Sequence, residues 1–211
     1  MQGKLITFEG GEGAGKTTVI QAVLKFLEEA GVEVVSTREP GGTPFGEAVR
    51  EAILHSPVAV CAEAELLAMF AARAQHLHDV IRPALQAGRW VVCSRFVDSS
   101  YAYQGGGRKV PEDVIRLLDD TFVRLSPDLT FYLDLPPQFG HQRIACRPEG
   151  LDRIEREDMA FFRDVRQAYL DRASRSPGRI RLIDASRSQA TVAADICDGL
   201  KGLVQAAHDS A

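Results

Sequence analysis

Short apolar segments alternate along the chain with longer segments in which apolar residues recur every three or four positions. The short segments lack the polar alternation of half-exposed strands, which is typical of strands buried on both faces of a parallel sheet. They cover residues 5–8, 32–37, 90–94, 129–135 and 180–184. Because helical segments separate these strands, the pattern predicts an α/β fold in which helices flank a five-stranded parallel sheet. Ligands are then expected at the carboxyl ends of the strands.

The longer segments predict helices with a period of 3.6 residues. The first places Val19, Val23 and Leu27 on one face and stops before Gly31, a residue type that commonly follows a helix end. Another begins at Pro111, where the missing N–H of proline is tolerated in the first helical turn. The predicted helices cover residues 16–30, 63–81, 111–125 and 189–207.

A glycine-rich segment, "GGEGAGKT" at residues 10–17, lies between the first predicted strand and the first predicted helix. It fits the pattern G-x-x-x-x-G-K-[ST], a phosphate-binding loop whose backbone N–H groups point at phosphate oxygens. We expect Lys16 to reach the β- and γ-phosphates of ATP and the Thr17 hydroxyl to ligate Mg²⁺. A flexible glycine turn is the alternative, but the flanking strand and helix favour the phosphate loop.

The phosphate loop makes the expected fold the three-layer fold of P-loop NTPases. The predicted ATP-binding residues are Gly10, Gly11, Glu12, Gly13, Ala14, Gly15, Lys16, Thr17 and Thr18. Neither D-x-x-G nor N-K-x-D, which a GTPase would normally carry, follows the loop. A kinase is therefore favoured, and a P-loop switch that binds nucleotide without useful turnover stays as the second class.

A kinase needs an acceptor site, and three strand ends or nearby helices offer candidates. Arg38 leaves the second strand beside the phosphate loop, where a guanidinium fork can grip a phosphate. Phe70 and Arg73 are three residues apart on one helical face, so a ring and a donor fork can address one base. The third strand is followed by Arg95, Ser100, Tyr101, Tyr103 and Gln104. Each has a simpler explanation: Phe70 as a core residue, an arginine as a solvated surface charge.

Six segments together resemble the thymidylate kinase family of P-loop nucleoside monophosphate kinases. They are "FEGGEGAGKTT", "TREPGGT", "FAAR", "YQGGGR", "YLDL" and "LDRIERED". The resemblance implies phosphorylation of dTMP to dTDP with ATP and Mg²⁺ in dTTP biosynthesis, a mobile lid and a homodimer. A nucleoside monophosphate or deoxynucleoside kinase with another base preference is the nearest alternative.

The resemblance also implies roles for individual residues. Arg38 and Arg95 would hold the dTMP phosphate, and Phe70 would stack on thymine. Arg73, Ser100 and Gln104 would read the base edge. Tyr103 would crowd the 2′ position of the sugar, Glu12 would accept a hydrogen bond from its 3′-hydroxyl, and Glu9 would lie near the acceptor phosphate and the metal. The predicted catalytic residues are Lys16, Arg95, Arg153 and Glu9, and the predicted metal-binding residues are Thr17 and Glu9.

A basic segment at about 141–158 has the composition of a lid around a Pro-Glu-Gly break. An arginine brought in by lid closure would supply positive charge to the transferred phosphoryl group. Arg153 is the first choice, and Arg143, Arg147 and Arg156 could instead belong to a salt-bridged surface helix. One position departs from many relatives: Ser94 precedes Arg95 where an aspartate is common, which bears on how the metal's water shell is held.

Size and charge limit the remaining possibilities. A chain of 211 residues is expected to form a single domain over residues 1–211. Its formal charge of −4 gives no reason to expect a nucleic-acid polymer as partner. No apolar run approaches the roughly 20 residues that span a bilayer. Four scattered cysteines show no metal or redox spacing, so we expect a cytoplasmic protein without membrane association.

Overall fold

A computed structural model describes residues 3–145 and 150–209. Its five strands form one parallel sheet in the order β2-β3-β1-β4-β5. The predicted five-stranded parallel sheet is confirmed. Parallel pairing brings the carboxyl ends of β1, β2 and β3 to the same edge, so the residues that follow these strands meet there. The strands are β1 (Leu5–Glu9), β2 (Val34–Arg38), β3 (Trp90–Ser94), β4 (Leu129–Asp134) and β5 (Ile180–Asp184).

Helices connect the strands, and several of them change from α-helical to π-helical geometry. The α-helices are α1 (Lys16–Glu29), α2 (Pro44–Leu54), α3 (Ala62–His76), α4 (Arg82–Gln86), α5 (Val97–Ser100), α6 (Glu112–Leu118), α7 (Pro137–Ile144), α8 (Met159–Arg175) and α9 (Gln189–Asp209). The π-helical segments are Leu77–Ile81, Tyr101–Gly107 and Asp119–Val123.

Successive residues of one strand pack into different cores on the two faces of the sheet. On one face Ile6 and Phe8 of β1 pack with α1 and α9. On the other face Leu5 packs with α3 and the helices around it. This arrangement explains why the central strands read as unbroken apolar runs, since both sets of side chains leave water. Within the described residues, no helix is long and apolar enough to cross a membrane.

Two of the predicted helices change to π-helical geometry near their ends. The predicted helix over residues 63–81 becomes π-helical from Leu77, and the Arg82 N–H bonds to the Leu77 carbonyl five residues before it. Pro83 follows directly and has no N–H for an α-helical bond to the carbonyl four residues earlier. The predicted helix over 111–125 likewise becomes π-helical, and it ends at Arg124 with a positive φ of 45°.

Helices α2 and α8 were not among the predicted helices. Both begin at a capping residue: the Thr43 side chain accepts the N–H of Gly46, and the Asp158 side chain accepts the N–H of Phe161. Such caps satisfy N–H groups that the first helical turn leaves without partners. Helix α2 matters for function, because it carries two charged residues close to the site described below.

Candidate active site

The phosphate loop joins β1 to α1 at the carboxyl edge of the sheet. Lys16 donates hydrogen bonds from Nζ to the carbonyls of Gly10 and Gly11, at 2.8 and 2.9 Å. Gly13 has a φ of 68°, and a Cβ there would lie 2.5 Å from the Gly140 carbonyl oxygen of α7. The loop therefore needs glycine at this position, both for its backbone angle and for its packing.

Glu12 projects from the phosphate loop toward the elements that follow β3. Its carboxylate accepts hydrogen bonds from Arg95 Nη2 and from the hydroxyl of Tyr103, the latter at 3.0 Å. Arg95 also donates from Nη1 to the Gly10 carbonyl at 2.8 Å. An acid in a phosphate-binding loop is thus held by an arginine that follows β3, the strand beside β1 in the sheet. This pair joins the phosphate loop to the neighbouring cavity.

That cavity, which we call the acceptor cavity, has a volume of about 370 Å³. Its size lies in the range of small-ligand sites. It contains most of the predicted acceptor residues together with several that the sequence analysis did not single out. The lining residues are Glu12, Glu39, Pro40, Arg50, Leu54, His55, Met69, Arg73, Arg95, Ser99, Ser100, Tyr103, Gln104, Gly150, Leu151, Asp152, Ile154, Glu155 and Arg156.

Arg73 lies on the wall of the acceptor cavity, and each of its three guanidinium nitrogens donates one hydrogen bond to the protein. It donates from Nε to Glu39 at 2.6 Å, from Nη1 to Ser100 at 3.0 Å and from Nη2 to the Phe96 carbonyl at 3.1 Å. Both Arg73 and Glu39 are buried. A buried arginine held this way presents a fixed donor pattern, which suits recognition of a base.

Phe70 occupies the core behind Arg73 and not the cavity wall. Its ring lies 4.9 Å from the Arg73 guanidinium carbon, and its side chain packs with buried residues of α3 and β3. Phe70 is not among the described residues that line the acceptor cavity. Its predicted stacking on a base stays a prediction, which requires the ring face to become accessible on ligand binding.

Arg38 and Arg50 approach the site from β2 and α2. Arg38 is exposed, pairs with Glu47 at 2.8 Å and lines a separate groove with Thr17 and Ser94. Arg50 lines the acceptor cavity and donates to the Pro40 carbonyl at 3.2 Å. Burial and the positive charge of Arg38 lower the pKa of Arg50. Arg50 was not among the predicted site residues, although the capping signal at the start of α2 could have revealed its helix.

Glu9 ends β1 in full burial. Its Oε1 accepts the Phe96 N–H at 2.7 Å, and its Oε2 accepts the hydroxyls of Ser99 at 2.6 Å and Tyr169 at 2.8 Å. Burial and the charge of Asp98 raise the pKa of Glu9 to about 7, against the hydrogen bonds that favour its ionised form. Both oxygens are occupied by protein donors. To act as the predicted metal ligand, Glu9 must give up at least one of these bonds.

Thr17 offers the other predicted metal ligand. It lies exposed in the first turn of α1, and its groove also contains Ser94. Within the described residues, no group of three His, Cys, Asp or Glu side chains could hold a metal ion. The Thr17 hydroxyl suits Mg²⁺, which keeps several waters and often takes only one or two protein ligands beside substrate phosphates.

Three polar side chains beside the acceptor cavity donate hydrogen bonds to Glu65. It is fully buried on α3 and accepts hydrogen bonds from Gln104, Arg108 and Arg153. Arg153 also donates to the Ile53 carbonyl at 2.8 Å. The arginine predicted to serve the transferred group is therefore bound to the acceptor side of the site.

Other arginines of the lid segment, residues 141–158, contact the site at different points. Arg143 of α7 donates to the Gly13 carbonyl of the phosphate loop at 3.0 Å. Arg156 lines the acceptor cavity. Arg147 lies outside the described residues. Arg143 also borders a groove of about 280 Å³ with Phe139 and Ser186, on the side of the phosphate loop that α7 covers.

Comparison with known proteins identifies the family. Residues 8–196 match the family model described as "Thymidylate kinase". The chain belongs to the thymidylate kinase family. The thymidylate kinase of Methylococcus capsulatus is 53% identical over 203 residues, which are 96% of this chain and 97% of that protein. The thymidylate kinase of Pseudomonas putida is 52% identical over 208 residues, which are 97% of this chain and 98% of that protein.

A solved structure agrees with this assignment. The thymidylate kinase of Ehrlichia chaffeensis matches this fold with a TM-score of 0.77 at 32% identity, covering 95% of this chain and 100% of that chain. The predicted family and the α/β P-loop fold are thereby confirmed. The kinase class predicted from the phosphate loop is also confirmed, against the alternative of a P-loop switch.

The thymidylate kinase motifs place their residues unevenly around the acceptor cavity. Glu12, Arg73, Arg95, Ser100, Tyr103 and Gln104 line it together. Phe70 lies behind the cavity in the core, and Arg38 lies beside it in a separate groove. Arg50 and Glu39 line it although neither was predicted.

Proposed function

We propose that the protein phosphorylates dTMP to dTDP with ATP as donor, binding dTMP in the acceptor cavity and ATP on the phosphate loop. The reaction follows from membership of the thymidylate kinase family. The observation that carries the assignment of the two sites is the Glu12–Arg95 pair. Arg95 touches both the phosphate loop and the cavity wall, so groups bound on either side of it meet.

The charges of the acceptor cavity suit a nucleoside monophosphate. Arg50 and Arg95 bring positive charge to the end of the cavity near the phosphate loop, where they would hold the dTMP phosphate. Burial and the positive charge of Arg38, with a smaller effect of Arg95, lower the pKa of Arg50, and a bound anion would oppose these effects. Arg38 would join them by leaving Glu47, its present partner. At the other end, Arg73 offers fixed donors to the base.

The sugar would lie between these two ends. Glu12 accepts hydrogen bonds only, so its carboxylate suits a 3′-hydroxyl donor. Tyr103 is buried with its ring 5.0 Å from the Arg95 guanidinium carbon, and it donates to Glu12. A ring fixed there would leave no room for a 2′-hydroxyl and would favour deoxyribose.

On the donor side, the loop from Gly10 to Thr18 would hold the ATP phosphates. Lys16 now bonds to loop carbonyls, and an ATP phosphate would replace these weak acceptors with charged ones. Thr17 would hold Mg²⁺, whose charge would neutralise the β- and γ-phosphates when the ion is bound. The groove beside Arg143 and Phe139 is the place we propose for the adenosine moiety.

Catalysis by these residues would consist mainly of positioning and of positive charge. Phosphoryl transfer has a loose transition state whose charge spreads over the transferred oxygens. Lys16 and Arg95 would stabilise that charge, since both already contact the Gly10 carbonyl at the junction of the sites. Because the two nucleotides would meet there, we propose direct in-line transfer without a phosphoenzyme.

The lid segment would add a further positive charge. Among the described residues of this segment, Arg143 is an arginine that contacts the phosphate loop, whereas Arg153 would have to leave Glu65 to reach the transferred group. We therefore place Arg143 beside Arg153 as a candidate for this role. Closure of the segment over the acceptor cavity is supported by the position of Arg156 on its wall.

We also propose a homodimer. Leu67, Leu117 and Phe122 are apolar side chains on α3, α6 and the π-helical segment after it, and each is more than half exposed. Large exposed apolar residues grouped on neighbouring elements favour association. Sedimentation equilibrium should give twice the mass of the chain, and Leu117→Glu should give a monomer. A wild-type protein that stays monomeric at micromolar concentration would contradict the dimer.

The site assignment can be tested at Arg73. In Arg73→Lys a charge remains near Glu39, but the fork of donors is lost, so kcat/KM for dTMP should fall at least about 30-fold. The KM for ATP should change less than about threefold. Arg163→Lys is the matched control, because Arg163 is exposed on α8. Unchanged dTMP turnover in Arg73→Lys would contradict the proposal that the base binds in the acceptor cavity.

A further inference from the structure

We propose that Glu65 determines the choice between pyrimidine bases by fixing the orientation of the Gln104 side-chain amide. This inference rests on the proposed dTMP site and names the group that gives that site its base preference. Glu65 does not touch the base in this account. It is a positioning residue that acts through Gln104.

The contact between the two side chains leaves one orientation for the amide. Gln104 donates from Nε2 to Glu65 Oε1 at 2.8 Å, and both residues are buried. A rotated amide would place Oε1 of Gln104 against the carboxylate, and two acceptors in contact repel one another. One of the two N–H groups of the amide is therefore held by Glu65, and in the proposed site Oε1 is the atom that faces the base in the cavity that Gln104 lines.

The surroundings of Glu65 keep it an acceptor. Burial acts to raise the pKa of Glu65, but hydrogen bonds from Arg153 and Gln104 and the charge of Arg108 outweigh burial and leave the pKa below its usual value. A protonated carboxyl could donate a hydrogen bond and would allow the amide to rotate. The two arginines prevent this, because they stabilise the ionised carboxylate.

An acceptor at Gln104 matches one class of pyrimidine. Thymine and uracil carry an N–H donor at N3, which Gln104 Oε1 can accept. Cytosine has a lone pair at N3, so it would place an acceptor against an acceptor and leave both without a partner. A buried polar group left unpaired is the strongest source of discrimination between similar ligands. The arrangement selects dTMP and dUMP against dCMP.

The test compares kcat/KM for dTMP, dUMP and dCMP in wild-type protein and Glu65→Gln. A glutamine at 65 can donate or accept, so the Gln104 amide becomes free to rotate. The ratio of kcat/KM for dTMP to that for dCMP should fall at least about tenfold. Loosening of Arg108 and Arg153 affects all three nucleotides alike and leaves the ratio unchanged. Glu63→Gln, on the exposed face of α3, is the control and should keep the wild-type ratio.

An exchange variant covers the case in which Glu65→Gln is too unstable to assay. Glu65→Gln with Gln104→Glu keeps one carboxylate and one amide in the pocket, and residue 104 can then only accept. This variant should reject dCMP at least as strongly as the wild type. A wild-type ratio in Glu65→Gln, or dCMP use by the exchange variant, would overturn the inference. A wild-type enzyme that does not phosphorylate dTMP would instead overturn the proposed function.

Discussion

Glu9 gives the stability of this protein an unusual dependence on pH. The carboxyl is fully buried, and its pKa of about 7 lies above the ordinary value of 4.5. Glu9→Gln replaces it with a neutral group of the same shape. The wild type can bind a proton at this position between pH 4.5 and 7 and the variant cannot, so the two proteins should respond differently to pH across that range.

The sign and size of the Glu9 contribution to the free energy of unfolding follow from linkage between proton binding and folding. The folded protein holds the Glu9 proton more tightly than the unfolded chain does, so this group stabilises the fold below pH 4.5 and loses that contribution as the pH rises through 7. One pKa unit corresponds to about 1.4 kcal/mol, so the rise from 4.5 to about 7 gives a total loss of about 3.5 kcal/mol in the free energy of unfolding. The physical causes of the raised pKa are burial of the carboxyl and the negative charge of Asp98.

The assay is urea unfolding of wild type and Glu9→Gln at pH 5, 6, 7 and 8. The free energy of unfolding of the wild type minus that of the variant should fall by about 2 to 3 kcal/mol from pH 5 to pH 8. Glu63→Gln removes an exposed carboxyl and should show no such trend. A difference that is constant within about 0.5 kcal/mol would refute the reasoning, because Glu9 would then titrate like an ordinary glutamate.

Two further predictions concern the lid segment and the loop after β2. Arg143→Ala should lower kcat at least about tenfold with saturating ATP and dTMP, whereas Arg153→Ala should mainly raise the KM for dTMP; a larger loss of kcat in Arg153→Ala would assign the transferred group to Arg153. Gly42→Ala should lower the free energy of unfolding by about 2 to 3 kcal/mol, because φ is +78° and a Cβ would lie 2.5 Å from His76 Nε2. In urea unfolding Gly202→Ala, on open α9 surface, should instead be neutral or stabilising, and equal effects of the two changes would contradict this account.

The layered fold could be predicted because its determinants are local. Each central strand is apolar on both faces, and the phosphate loop has a fixed spacing between a strand and a helix. The π-helical ends of the helices could not be predicted, because their apolar periodicity resembles that of an α-helix over such short lengths.

The site was predicted where a residue follows a central strand and missed where its role depends on a distant partner. Arg95 follows β3 and reaches the phosphate loop as expected. Arg38 is the last residue of β2, but it pairs with Glu47 of the unpredicted α2 and lines a neighbouring groove. Glu65 reads in the sequence as an ordinary acid in the first turn of a helix, and only tertiary contacts with Gln104 and Arg153 show its importance.

The burial of Glu9 could not be predicted either, because it also depends on partners that are distant in the sequence. Its partners Phe96, Ser99 and Tyr169 lie 87 to 160 residues further along the chain, so no local pattern indicates them. A glutamate at the end of a strand beside a phosphate loop is a reasonable metal ligand by sequence alone. The three donors that occupy it in the fold are set by the packing of α5 and α8 against β1.

The central claim is tested most directly by ADP release from ATP and Mg²⁺, with purified protein offered dTMP, dUMP, dCMP, dGMP and AMP in parallel. The account predicts strong release with dTMP, weaker release with dUMP and little with the other three. Equal or stronger release with dCMP or a purine nucleotide would contradict the proposed base site, and no release with any of the five would contradict the proposed function itself.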